Sequence, residues 1–265
     1  MKRILTAALF GMGVSGHVCA ADLPEKSYEK ALSATPVQEW SGFYVGANAG
    51  YTTSNGKDTN LTVTDTGAYG FSAVLAAGQI PNHVAIRPAG FIGGGQVGYN
   101  WQSAAWVYGL EADIQGASAK ASYSFATAPP LEPGAFTGSS SLEWLATFRG
   151  RLGAIVAPAT LVYVTGGLAV GQTKSTLAGN GPTWGPAFAA STTSAPVSTG
   201  WTIGAGAEWK MTPAWSVKGE YLYYDLGSSD VTILYRYFGA VSTLTSHFEN
   251  AGHIARIGLN YKVGN

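Results

Sequence analysis

From Trp40 to the C-terminus, residues alternate in two-residue period over stretches of about a dozen, joined by connections that are in turn long and very short. The clearest stretch runs from Trp40 to Tyr51. It places Phe43, Val45, Ala47, Ala49 and Tyr51 on one face and Tyr44, Gly46, Asn48 and Gly50 on the other. A period of two is the mark of a strand with two distinct environments. A soluble sandwich would hide the apolar face in a shared core. Here that face carries aromatics near its ends, and the opposite face of later strands carries charge. The combination predicts a membrane-spanning barrel with lipid outside and a polar lumen inside.

Eight strands are expected at 40–52, 91–102, 105–118, 142–156, 161–172, 199–210, 215–225 and 251–263. Between them lie long connections at 53–90, 119–141, 173–198 and 226–250, and short ones at 103–104, 157–160 and 211–214. An all-β, eight-stranded antiparallel up-and-down transmembrane β-barrel, with short periplasmic turns and long external loops, produces that alternation. All 12 prolines fall outside the eight segments, as a closed hydrogen-bonded ladder demands. Two aromatic girdles are expected at the bilayer interfaces: Trp40, Trp101, Trp106, Trp209 and Trp215 inside, Tyr51, Trp144, Trp201 and Tyr223 outside. Segment 71–80 is apolar enough to pack locally or to add a short hairpin.

Residues 1–20 read as a signal peptide. Lys2 and Arg3 supply the positive region, Ile4–Val14 the apolar run and Val18-Cys19-Ala20 the cleavage site, so the mature chain is expected to begin at Ala21. Residues 21–39 are a polar periplasmic lead-in, and 40–265 the outer-membrane barrel. Cys19 leaves with the signal, which removes disulfides and thiolate metal sites. Loss of Lys2 and Arg3 leaves 13 basic and 15 acidic residues with no basic patch, so no nucleic-acid partner is expected.

The same alternation sorts the charges. Glu111, Asp113, Glu143, Glu208 and Glu220 are expected inward, with Arg149, Arg151, Lys210, Lys218, Arg256 and Lys262 as their counter-charges. If the third and fourth strands pair, one register sets Glu111 opposite Arg151 and Asp113 opposite Arg149. An eight-stranded barrel is about wide enough to be filled by its own side chains. Nearly balanced, interdigitated charge therefore predicts a lumen closed by a structural plug rather than a charge-selecting pore.

Ala21-Asp-Leu-Pro24, Trp40–Tyr51, Tyr108–Gln115, Arg149-Gly-Arg-Leu-Gly153, Tyr163–Ala169, Glu220-Tyr-Leu-Tyr223 and His253–Lys262 resemble the alphaproteobacterial outer-membrane immunogenic protein family, small porin-like surface antigens with an OmpA-like barrel domain. The resemblance implies a surface antigen with exposed loops and a role in envelope integrity or passive surface contact, without catalytic residues. Such barrels usually end in an aromatic residue read by the assembly machinery, whereas this chain ends Tyr261-Lys-Val-Gly-Asn265.

Other motifs weigh less. Gly93-Gly-Gly95-Gln-Val-Gly98 fits a dinucleotide fingerprint but lies inside a strand, where small residues serve close packing. Ser246-His247 are adjacent on a strand and so point to opposite faces, which disfavours a nucleophile–base pair. His83, His247 and His253 are scattered. The expectation is a non-enzymatic structural surface antigen of the outer membrane without cofactor or metal. Its partners would be outer-membrane lipid and lipopolysaccharide, the barrel assembly machinery, and a host or surface ligand at the external loops. The alternatives are a small passive diffusion porin and a loop-mediated adhesin or receptor.

Overall fold

The computed structural model describes residues 39–55, 58–66, 71–127, 134–181, 188–237 and 240–264. The expected signal peptide and nearly all of the lead-in lie outside them. Eleven strands and one short helix are formed: β1 (Gly42–Ser54), β2 (Asp58–Asp65), α1 (Phe71–Ala76), β3 (His83–Ala85), β4 (Ala89–Ser103), β5 (Trp106–Thr127), β6 (Gly134–Ala157), β7 (Thr160–Gly181), β8 (Phe188–Ser194), β9 (Val197–Lys210), β10 (Trp215–Tyr237) and β11 (Ala240–Val263). The order β1-β4-β5-β6-β7-β9-β10-β11, closed by pairing of β1 with β11, is an antiparallel ring of eight. Its short turns fall at 104–105, 158–159 and 211–214, as expected.

The two faces sort as the alternation requires. Phe43, Val45, Tyr51, Tyr108, Leu110, Ile114, Phe148, Leu152, Ile203 and Ile257 are exposed on the outside, which is the lipid side of the ring. Inward positions are packed by a recurrent device. Tyr44 lies opposite Gly98, Tyr163 opposite Gly206, and Tyr224 opposite Gly252, each on the neighbouring strand. A Cβ at Gly98 would come within 2.4 Å of the Tyr44 ring, and one at Gly206 within 2.6 Å of the Tyr163 hydroxyl. These three inward glycines thus make room for large neighbours to lie flat across the ladder.

The external connections differ from expectation. Much of 119–141, 173–198 and 226–250 is strand, because β5, β6, β7, β10 and β11 run on past the outer girdle. Inward residues there mix large apolar side chains such as Tyr123, Leu244 and Phe248 with small buried polar ones such as Ser140, Ser242 and Ser246, while outward ones change from lipid-compatible to hydroxyl and charged: Lys120, Ser122 and Ser124 on β5, Thr243, Thr245 and His247 on β11. That is the pattern of a sheet wet on one face. The first connection also contributes: β2 pairs the outer part of β11, β3 pairs β2, and segment 71–80 supplies helix α1 rather than a hairpin.

Beyond the girdle the ring becomes two facing sheets, β3-β2-β11-β10 and β5-β6-β7-β8. Between them lies a second apolar core of Leu61, Ile80, Ile86, Tyr123, Phe136, Leu177, Val231, Ile233, Leu244 and Phe248. From Asp225 to Tyr237, β10 advances about 40 Å along its own direction, or about 30 Å outward at a usual barrel tilt. A shift in the β10–β11 ladder between Asp225 and Ser228 marks the transition, with Gly227 at φ +77°. That left-handed conformation suits a glycine bulge.

Candidate functional site

The lumen is stratified. At the periplasmic mouth Trp40, Val107, Leu161 and Tyr163 form an apolar floor. Above the charged layer an apolar layer contains Ile92, Leu142, Leu145, Leu222, Tyr224, Leu226 and Ile254. Between them sit four acids and four bases: Glu111, Asp113, Glu208 and Glu220 with Arg149, Arg151, Lys218 and Arg256, all buried.

Glu111 is the hub. Its two carboxylate oxygens each accept from Lys218 Nζ at 2.7 Å, one also accepts from Arg149 Nη2, and the other accepts from Tyr44 Oη at 2.7 Å. Asp113 Oδ2 accepts from Arg149 Nη2 and Arg256 Nη2, both at 2.9 Å, and its Oδ1 accepts from Gln115. Glu220 takes Arg256 Nε at 2.8 Å, Tyr163 Oη at 3.0 Å and Arg149 Nη1 at 3.1 Å. Glu208 receives Arg151 Nη2 at 2.7 Å, Ser216 Oγ at 2.5 Å and Asn260 Nδ2 at 3.0 Å. Charges carried into a low-dielectric interior cost several kcal/mol each unless paired and hydrogen-bonded; each of these is paired and hydrogen-bonded, with Arg149 Nη1, Arg151 Nε and Arg256 Nη1 left without a hydrogen bond.

The register differs from the one expected. Glu111 stands opposite Arg149 and Asp113 opposite Thr147, while Arg151 faces Gly109. The pairing is therefore two residues away from the predicted one. Gly109 fits this register: a Cβ there would lie 2.4 Å from Asn100 Oδ1, 2.7 Å from the Tyr99 carbonyl oxygen and 3.3 Å from Arg151 Cγ, so the glycine is crowded by both neighbouring strands. Arg151 then reaches Glu208 and lies 4.0 Å over the Tyr163 ring, and Arg149 serves both Glu111 and Asp113.

Of the predicted luminal charges, one lies elsewhere and two line the luminal mouth, outside the charged layer. Glu143 is exposed, because the β6–β7 ladder shifts between Leu142 and Trp144. Leu142 and Leu145 both face inward across that bulge, and Glu143 is turned out to accept from Ser141 Oγ at 2.7 Å. Lys210 and Lys262 sit at the periplasmic rim rather than in the charged layer. Lys210 Nζ lies 4.8 Å over the Trp40 ring and donates to the Glu39 carbonyl; Lys262 is half-buried against Gly42.

Trp40 is likewise no girdle residue. It is 3% exposed and closes the mouth. The residue precedes β1, so strand alternation does not govern it, and Gly42 at φ +133° turns the chain inward. Its backbone N–H donates to Gln102 Oε1 at 2.6 Å. The other girdle residues are on the outer surface: Trp101, Trp106, Trp209 and Trp215 exposed at the inner rim, Tyr51 and Trp201 exposed and Trp144 and Tyr223 half-buried at the outer.

Some luminal groups were not singled out from sequence although they occupy inward positions of the same alternation. Tyr44 and Tyr163 bind carboxylates, and Asn48, Gln96 and Asn260 link in sequence to Glu208. Gln96 belongs to the glycine-rich Gly93–Gly98 motif, which lies within β4. Ser246 Oγ is buried 3.2 Å from Tyr123 Oη, while His247 points out to Asp230 at 2.6 Å. His253 Nδ1 lies 2.7 Å from Tyr221 Oη on the outer face. Two cavities bordering the lumen are small: about 20 Å³ at the mouth beside Trp40, Tyr44 and Glu208, and about 20 Å³ above the apolar layer beside Ala119, Leu142 and Tyr224. Each has room for about one water.

Residues 30–262 match the family model described as outer membrane protein beta-barrel domain. The chain belongs to this family. It is 36% identical over 269 residues to the 31 kDa outer-membrane immunogenic protein of Brucella melitensis, covering 99% of this chain and all of that one. It is 30% identical over 204 residues to the 22 kDa outer membrane protein of Rhizobium leguminosarum bv. viciae, covering 74% of this chain and 68% of that one. Among solved structures, the outer membrane protein OprG of Pseudomonas aeruginosa aligns with 86% of this chain and 99% of its own at 9% identity, with a TM-score of 0.46. This outer-membrane barrel is a protein of the cell outer membrane, a relative of immunogenic surface proteins.

Proposed function

We propose that this outer-membrane protein is a closed structural barrel that supports envelope integrity and presents a rigid antigenic surface. The observation that carries this reading is the neutral layer of four acids and four bases held between two apolar layers. A conducting path would need a continuous wet route, and displacing charges from this layer would leave partners buried without counter-charge. Planar-bilayer recording tests it. Silence at membrane potentials that leave the bilayer intact is expected; stable unitary steps would establish the diffusion-porin alternative instead.

On this reading the protein is not an enzyme. Ser246 is committed to Tyr123 inside, and His247 to Asp230 outside. Outer-leaflet lipid and lipopolysaccharide surround the apolar band, the assembly machinery handles β11 during insertion, and a host or surface ligand meets the outermost turns. The extramembrane core favours this last, adhesin-like contact as a second reading, since it supports a fixed surface away from the headgroups. Replacing 228–249 with a tight turn should abolish cell-surface binding while leaving insertion intact; retained binding would remove that reading.

A further inference from the structure

The outer rim of the membrane band is asymmetric in charge. On the face made by β5, β6 and β7, the register aligns Lys120 opposite Ser141 and Ser141 opposite Lys174. Two inter-strand spacings put the lysine backbones about 10 Å apart. Both lysines are exposed, and neither pairs with a described carboxylate. Arg87, also exposed, lies just before β4 and two residues outward of Ala89, the direct partner of Lys120. The described carboxylate on this face is Glu143, accepting from Ser141.

The row has a defined depth. Trp144 pairs with Gln172 and donates to its side chain at 3.2 Å, and Lys174 is the next outward-facing residue of β7. Lys120 is the next outward-facing residue of β5 beyond Ser118, whose hydroxyl accepts from the Phe91 N–H at 3.1 Å. Aromatic rings of a girdle settle at the interface, so cations one step further out meet the headgroups. Ser122 and Ser139, opposite each other in the next row, add hydroxyl donors. Beyond the girdle on β10, by contrast, stand Asp225 and Asp230.

We propose that the β5–β7 face binds the phosphorylated headgroup of an outer-leaflet lipid, with Lys120 and Lys174 as paired cationic contacts, and that the β10 face does not. Anionic headgroups attract Lys and Arg held at this depth, whereas carboxylates there repel them. The inference rests on the lipid partnership proposed above and gives it a place; closure of the lumen does not enter.

The test uses the chain refolded in neutral detergent, with native mass spectrometry reading retained lipid after heat-modifiable migration has confirmed folding. The probes are phosphorylated lipid A, dephosphorylated lipid A and inorganic phosphate. The unaltered chain should retain the phosphorylated form at least ten-fold better than the dephosphorylated one. K120Q/K174Q should lose that preference, K120R/K174R should keep it, and D230N should not reduce it. Unchanged preference in K120Q/K174Q, equal retention of dephosphorylated lipid A, or displacement by inorganic phosphate at matched concentration would each overturn the proposal. Unitary conductance in planar bilayers would remove the closed-barrel reading and leave this outcome unaffected.

Discussion

Tyr123 and Gly138 face each other across β5 and β6, and a Cβ built on Gly138 would come within 2.2 Å of the Tyr123 ring. Phe136 stands in the same relation to Gly179 on β7. At these two pairs the inward glycine is the seat of a large neighbour, and its exchange for a larger residue displaces that neighbour. Gly138→Val is expected to destabilise the extramembrane core by about 1–3 kcal/mol, the usual cost of overpacking. Adding Tyr123→Ala should recover part of the loss, read as the urea midpoint of the protein in lipid vesicles.

Glu111 receives Lys218, Arg149 and Tyr44 at once. Glu111→Gln leaves the buried bases one counter-charge short and is expected to cost about 3–5 kcal/mol. Removing Lys218 as well, as Glu111→Gln with Lys218→Met, restores neutrality and should cost less than the sum of the single changes. A double-mutant cycle in thermal unfolding measures that difference; strict additivity would mean that the two side chains do not interact.

Trp40 and Trp209 separate the lumen from the lipid face. Among variants keeping one tryptophan each, Trp209 fluorescence should be quenched by brominated lipid, while Trp40 should respond weakly both to brominated lipid and to aqueous iodide. Strong lipid quenching of Trp40 would return it to the girdle.

Phe248 is 1% exposed at the centre of the outer core. Phe248→Ala is expected to cost about 3–5 kcal/mol there. Because the two sheets outside the membrane have their own core, protease added to outer-membrane vesicles should cut the outer strands of the variant faster while the membrane ring stays protected.

Which parts of this structure could be read from the residues follows from what constrained each part. Lipid punishes any charge on the outward face, so the positions of Glu111, Asp113, Arg149 and Arg256 could be assigned from alternation alone. Water imposes no such penalty on Ser122 or Thr245, and the Ser- and Thr-rich stretches beyond the girdle therefore resembled loops although their inward residues still alternate. Glu143 was misassigned because a bulge leaves no mark in the spacing. Trp40 was misassigned because it precedes the first strand and obeys no alternation. The register of β5 on β6, which sets Arg151 opposite Gly109, is a relation between strands that periodicity within one strand does not contain.

The continuity of β10 and β11 through the outer border has a mechanical meaning. Inside the membrane band β10 is paired with β9 from Ser216 to Asp225, and β11 with β1 from Gly252 to Val263. A pull at the outer end of the β10–β11 pair slides it lengthwise past both neighbours, so the bonds of two ladders are strained together rather than opened one after another. The protein is in this respect a post set through the full depth of the bilayer, with tension at the cell surface borne by both ladders together.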